Sequence, residues 1–231
     1  MPEMLNSRTF IEHILPTQPC ALCGTPSHDG VWCQACDADL PYLGDAHCPV
    51  CAAPTPGGST CGRCLQHPRS FDHTVAAFAY AFPVDKLIQA VKFSERLTLS
   101  DRLAAALAQR ITHLPDGIVA MPLHPLRLRE RGFNQSLLLA RHLTKKLGIP
   151  LLPDACHRTR NTLPQSSLPW QERDKNMRKA FTCDSDLRGR HIAIVDDVMT
   201  TGASIDALAH TLRHAGAARI DAWVIARTLP H

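Results

Sequence analysis

The densest chemistry in the chain lies in one stretch, His191 to Ser204, HIAIVDDVMTTGAS. An apolar run ends in two adjacent carboxylates, Asp196 and Asp197. Val198 and Met199 then lead into Thr200, Thr201, Gly202, Ala203 and Ser204. Hydroxyls and a glycine ahead of a helix suit a phosphate. The first N–H groups of a helix lack intrahelical partners and carry the positive end of its dipole, and glycine lets the main chain approach closely. The carboxylates cannot serve the same ligand group, because like charges repel. They suit sugar hydroxyls, as hydrogen-bond acceptors, or positive charge developing on a sugar ring. Phosphate on one side and a diol on the other describe a ribose 5-phosphate. A Walker A loop and a G-x-G-x-x-G fingerprint are both absent from the sequence, which removes two common phosphate-binding readings. The acid pair of a phospho-acceptor receiver domain falls near the start of its domain, whereas here only 34 residues follow Asp197.

A second chemistry sits at the front. Eight of the ten cysteines form four Cys-x-x-Cys pairs: Cys20 and Cys23, Cys33 and Cys36, Cys48 and Cys51, Cys61 and Cys64. Nine residues separate the first pair from the second, and nine the third from the fourth, so one small unit is used twice. Four thiolates complete a tetrahedral shell around zinc and leave no open position for catalysis, which makes two structural zinc ions the expected ligands. Such binding, worth roughly 10–16 kcal/mol, can replace the core that a short Pro/Gly-rich segment lacks. Sequential ribbons and an interleaved arrangement would use the same residues. A disulfide framework requires secretion. The N-terminus argues against that, with Glu3 where a signal peptide carries bases and an apolar patch, Phe10 to Leu15, interrupted by Glu12. The expected location is the cytoplasm, without membrane insertion, since no segment approaches the ~18–20 apolar residues of a spanning helix. Cys156 and Cys183 stand outside any nucleophile motif and read as packing residues.

The elements that must position this chemistry follow from the pattern. Val75 to Phe82 predicts a strand, and Pro83 with Asp85 opens a helix to Phe93. A helix over Leu97 to Thr112 and a short strand over Ile118 to Met121 come next. Asn134 caps a helix that Gly148 closes after Leu147. Leu151 to Arg158 is a candidate strand, followed by a long polar stretch that reads as a functional loop. The strand ending at Val195, a helix over Ala203 to His214 and a strand over Arg219 to Arg227 complete the chain. Alternating strands and helices imply an α/β fold with a doubly wound, mostly parallel sheet, in which ligands sit beyond the carboxyl ends of the strands. The expected domains are a double zinc ribbon over residues 1–69 and an α/β domain over 70–231. The net charge of +4 is mild, but His124 to Ala180 carries twelve Lys/Arg against four Asp/Glu. That excess suits phosphate or nucleic acid, and equally a solvated helix face.

The apolar run with Asp196, Asp197 and Thr200 to Ser204 resembles the signature of type I phosphoribosyltransferases. Ala193 is small for its place in that run. Met121 to Ser136 (MPLHPLRLRERGFNQS), Arg158 to Phe181 (RTRNTLPQSSLPWQERDKNMRKAF) and the zinc knuckles extend the likeness to the ComF family of competence-associated, phosphoribosyltransferase-like proteins. Arg131 to Gln135 (RGFNQ) is its most specific part. The resemblance implies binding of 5-phosphoribosyl 1-pyrophosphate. Asp196 and Asp197 would be the catalytic pair on the ribose hydroxyls, and Val198 to Ser204 would form the ligand loop. Arg127, Arg129 or Arg131 would face the pyrophosphate, and a lid would carry Gln165 and Arg173. Magnesium would accompany the pyrophosphate and the diol, held mostly by the ligand. If transfer occurs, it displaces pyrophosphate from ribose C1 by a nitrogen nucleophile. The place where many such enzymes choose their base is taken here by the zinc ribbons. Three readings follow: a competence protein that acts on incoming DNA, with single strands and other DNA-uptake proteins as partners and with Trp170 available for stacking; a nucleotide-salvage phosphoribosyltransferase; and a non-catalytic, ligand-responsive scaffold.

Overall fold

Alternation of side chains along a strand decides how the central sheet is covered. The structure, a computed structural model, describes residues 18–27, 31–93, 97–159 and 180–229. It divides into two units, Met1–Leu40 and Pro41–His231.

In the first unit β1 (Gln18–Pro19) pairs antiparallel with β2 (Pro26–Ser27), and α1 (Gln34–Ala38) starts after Cys33. Trp32 is buried and its indole N–H donates to Asp37 Oδ1 at 2.5 Å. So small a unit buries too little apolar surface to hold itself together without a metal or a similar staple.

The second unit opens with the other cysteine group and α2 (Gly62–Gln66). Then come β3 (His73–Ala79), α3 (Val84–Phe93), α4 (Leu97–Ala108), β4 (Gly117–Ala120), α5 (Pro125–Arg131) and α6 (Gln135–Leu147). β5 (Cys156–Arg158), β6 (Phe181–Cys183), β7 (His191–Met199), α7 (Ala203–His214) and β8 (Arg219–Arg227) complete it. The sheet order is β3-β8-β7-β4 and every pairing in it is parallel. On one face Ile192, Ile194, Ile220 and Ala222 pack with Leu208, Ala209 and Leu212 of α7. Ala193 and Val195 alternate onto the opposite face, where α6 lies against β4 and β7 and α4 against β3 and β8. Helices on both faces make the sheet doubly wound.

Two differences from the sequence reading concern the site. β7 does not stop at Val195. It runs to Met199, because Asp196, Val198 and Met199 still pair with Val224, Ala226 and Arg227 of β8. The segment from Leu151 to Arg158 is not one strand. Leu151 makes a single parallel bridge to Ile118, and Cys156–Arg158 then pairs antiparallel with β6, outside the sheet. Pro153 lies between them and has no N–H to continue a ladder.

The second cysteine group belongs to the same compact unit as the sheet. Thr74 of β3 donates from its N–H to Pro49 O at 3.0 Å and from its hydroxyl to Val50 O at 2.5 Å. Among the described residues, no helix is long and apolar enough to cross a membrane.

Candidate functional site

The carboxylates are fixed by main chain and by one hydroxyl. Asp196 Oδ1 accepts from Ser136 Oγ and from the N–H of Asp197, both at 2.9 Å, and Asp197 Oδ1 accepts from the N–H of Val198 at 2.8 Å. Ser136 is buried, and it lies in the first turn of α6 because Asn134 caps that helix, accepting from the N–H of Ser136 and Leu137. Asn134 also donates from Nδ2 to Met121 O at 3.1 Å, which ties the loop after β4 to the same helix start. The sequence element Arg131 to Gln135 thus works largely through its Asn.

Beyond β7 the chain turns at Gly202, whose φ of +80° is left-handed and strained for any residue with a Cβ. Gly202 caps α7 and has no side chain of its own to bond the N–H groups of that first turn. Thr201 Oγ1 accepts from the N–H of Ala203 at 3.3 Å. Asp206, in the same turn, would repel a phosphate. It is drawn away by the N–H of Ser70 at 2.7 Å and by Arg69, whose guanidinium is 3.7 Å from it. Arg69 also donates to Thr201 O at 3.4 Å.

The loop is held from its other side by Arg227, the last residue of β8 and only 5% exposed. Its Nε donates to Cys51 O at 2.7 Å, and its Nη1 donates to the carbonyls of Met199 (3.1 Å), Thr200 and Thr228. Burial pushes the Arg227 pKa down from its ordinary value, yet a guanidinium that satisfies this many carbonyls is retained. The second cysteine group and the Thr200–Ser204 loop therefore share one anchoring side chain.

The three arginines expected to face an anion part company. Arg131, the last residue of α5, donates to Oε1 of Gln135, the first residue of α6, at 2.6 Å. Arg129 is exposed and lines a cavity beside β5. Arg127 lies close enough to Arg158 to depress its pKa further, after burial, while Asp196 acts in the opposite sense. Arg158 also stands 5.6 Å over the Phe181 ring. Gln165, Arg173 and Trp170 lie outside the described residues.

The eight knuckle cysteines gather as Cys20, Cys23, Cys33 and Cys36 in the first unit and Cys48, Cys51, Cys61 and Cys64 in the second, the sulfurs of each group within 4.8 Å of one another. The grouping is sequential. Four sulfurs at ~2.3 Å from one zinc ion stand about 3.8 Å apart in a tetrahedron. The Cys23–Cys33 and Cys51–Cys61 sulfur separations are both 3.7 Å, so both sets fit zinc. Each set holds thiols pushed up as well as down: the hydrogen bond with Cys23 raises Cys36, and burial raises Cys64. A side-chain hydrogen bond with Thr25, reinforced by the backbone of Cys36, lowers the Cys33 pKa to about 6. At Cys48 burial acts to raise the pKa, but backbone hydrogen bonds at Cys61, Cys51 and Val50 bring it to about 7.

The double zinc ribbon domain family matches residues 10–65, and the phosphoribosyl transferase domain family matches residues 134–229. The chain is 37% identical over 221 residues to DNA utilization protein YhgH of Escherichia coli (strain K12), covering 91% of this chain and 97% of that one. It is 30% identical over 226 residues to Competence protein F of Haemophilus influenzae, covering 93% of each. The chain belongs to the ComF family. Competence protein ComFC of Bacillus subtilis is 25% identical over 233 residues, covering 90% of this chain and 95% of that one.

For a ComF-family chain the two matched domains are those the residues describe: cysteine groups that fit two structural zincs and a parallel α/β sheet of the phosphoribosyltransferase kind. The residues that sequence reasoning passed over are those acting across long chain distances: Arg69, Ser136, Arg158, Asp206 and Arg227. One signal was available, since Arg227 is a charge that closes the otherwise apolar run Ala222 to Ala226.

A Ser–His–Asp arrangement occurs elsewhere and is not a catalytic site. Ser100 Oγ lies 3.1 Å from His142 Nε2, and His142 Nδ1 lies 3.0 Å from Asp101 Oδ1. Ser100 has 0% exposure between α4 and α6, where no substrate reaches it. The three residues clasp the two helices. Cys156 is likewise buried opposite Cys183 in the β5–β6 pair, and burial, with Cys183 beside it, pushes its thiol up. That is the behaviour of a packing residue rather than a nucleophile.

Proposed function

We propose that the chain binds 5-phosphoribosyl 1-pyrophosphate and serves in the handling of DNA. The observation that carries the reading is the placement of Asp196 and Asp197, locked by Ser136 and their own main chain, directly before the glycine-capped start of α7. In this arrangement the carboxylates accept hydrogen bonds from the ribose diol, and the N–H groups of the Thr200–Ser204 turn with its hydroxyls take the 5-phosphate. Arg127 and Arg158 offset the pyrophosphate charge. Magnesium, when bound with the ligand, neutralises pyrophosphate oxygens, and most of its coordination comes from the ligand and water. If the sugar is transferred, the same carboxylates stabilise positive charge on the ring.

The test is calorimetry with magnesium and the ligand. Asp196→Ala combined with Asp197→Ala should abolish binding and leave two zinc ions per chain. Unchanged affinity would sink the assignment.

The DNA role is supported by the likeness to the DNA utilization protein of E. coli and by the basic segment from His124 to Ala180. Binding to single strands through that segment requires an affinity for an oligothymidylate that falls steadily as salt rises. An affinity indifferent to salt would count against it.

A further inference from the structure

A cavity of about 670 Å³ lies between the loop that follows β4 and strand β5. Its wall, among the described residues, includes none of Asp196, Asp197 or Thr200 to Ser204, so it is a compartment separate from the diol–phosphate cradle. Two residues join the compartments. Asn134 lines the cavity and positions Ser136, which holds Asp196, while Arg158 lines the cavity and feels the charge of Asp196.

The wall has two characters. Pro122, Leu123, Phe133, Leu137, Leu138 and Pro153 supply flat or branched apolar surface. Arg129, Arg141 and Arg158 all line the same space, with Asp154 as the one acid among the lining residues. Cations converging on an apolar-walled space are complemented by an anion. A bare phosphate or a sugar phosphate would leave the apolar wall wet. A ligand with an aromatic face and a phosphate satisfies both parts, and the volume falls within the ~300–1,000 Å³ of small-molecule sites.

We propose that this cavity is a mononucleotide pocket, in which a base lies against Phe133 and its apolar neighbours and a phosphate is gripped by Arg129 and Arg141. The pocket requires no group transfer, and it stands whether or not the cradle takes a phosphoribosyl ligand.

The experiment is calorimetry on the full-length, zinc-loaded chain with AMP, with adenosine, and with magnesium and 5-phosphoribosyl 1-pyrophosphate, for the wild type, Arg141→Gln and the Asp196→Ala/Asp197→Ala double variant. Arg141 is exposed on α6 and takes part in none of the cradle contacts described above. Arg141→Gln should therefore lower AMP affinity about tenfold, as expected for a charge-assisted hydrogen bond, and leave the phosphoribosyl ligand unaffected. The double variant should keep AMP binding, and AMP should still bind wild type saturated with the phosphoribosyl ligand. Adenosine should bind at least about tenfold more weakly than AMP. AMP binding that survives Arg141→Gln but is lost in the double variant would place the nucleotide in the cradle and overturn the pocket. Equal affinities for AMP and adenosine would also overturn it, as would no AMP binding at millimolar concentration. A wild type that binds AMP but no phosphoribosyl ligand would sink the proposed function while leaving the pocket intact.

Discussion

Arg227→Met tests whether the second zinc ribbon and the ligand loop are one mechanical unit. The substitution keeps an apolar stem and removes the guanidinium. Two of the lost bonds, to Cys51 O and Met199 O, are fully buried, so their carbonyls are left without this donor. A hydrogen bond to a charged donor contributes about 1.5–3 kcal/mol. The cation is itself desolvated, as its lowered pKa shows, and removing it returns part of that cost. The net destabilisation should be about 3 kcal/mol, which for a chain of this size lowers the melting temperature by about 6–12 °C. Arg227 also donates to Thr200 O, at the entry to the loop. Affinity for magnesium and 5-phosphoribosyl 1-pyrophosphate should then fall at least about tenfold, equivalent to about 1.4 kcal/mol. Zinc content should not change, because the contact with Cys51 is to its carbonyl and not its sulfur. Thermal melting, metal analysis and calorimetry on the same preparation read all three quantities. A melting temperature within about 1 °C of wild type would refute the stabilisation argument. A lower melting temperature with unchanged ligand affinity would refute the link to the loop.

Ser136→Ala removes one buried hydroxyl from Asp196. Ligand affinity should drop about three- to tenfold with a stability loss near 1 kcal/mol, and calorimetry beside chemical denaturation separates the two. Cys20→Ser with Cys23→Ser should leave one zinc per chain by metal analysis, the ion of Cys48, Cys51, Cys61 and Cys64 being independent of the first group. Gly202→Ala places a Cβ at a φ of +80°. A cost of about 1–2 kcal/mol in denaturation and a weakened ligand are expected, since the helix start must shift to relieve the strain. The pKa of His142 is lowered from 6.5, first by burial, with Asp101 opposing and Lys146 and Lys145 assisting. The folded state therefore binds its proton less readily than the unfolded chain, so stability is complete above pH 6.5 and is lost as pH falls below it. The stability difference between wild type and His142→Gln, measured by urea denaturation at pH 7.5 and 5.5, should shrink toward the acid end. A constant difference would contradict the shift.

What the sequence made legible is what local patterns encode. The cap of Asn134, the stop at Gly148, α7 from Ala203 to His214 and β8 from Arg219 to Arg227 all depend on residues within a turn or two of one another. Capping and period are local physics, and the structure agrees with them residue for residue. The strand carrying the acids was read short because a pair of charges ordinarily ends an apolar run. Here β8 continues to hydrogen-bond alongside, and the ladder outweighs the charge, since a parallel partner is supplied from more than twenty residues away.

The same distinction governs the site. Asp196, Asp197, Gly202 and the eight cysteines announce themselves through side-chain chemistry at fixed spacing. The groups that hold them do not. Arg69 sits in what reads as a linker, Arg158 in what reads as a strand end, and Arg227 near the C-terminus, and the partners that Arg69 and Arg227 reach at Thr201 and Cys51 are well over a hundred residues away. Their types are common on any surface, and only burial against backbone carbonyls makes them specific. The second ribbon is the instructive case. By spacing alone it is a repeat of the first, an independent metal-bound module. By contact it is part of the α/β unit, because Pro49, Val50 and Cys51 each give a carbonyl to a residue of the sheet. Two identical cysteine patterns thus end in different structural roles, and the difference comes from the donors that meet them, Thr74 and Arg227, rather than from anything in the repeat itself.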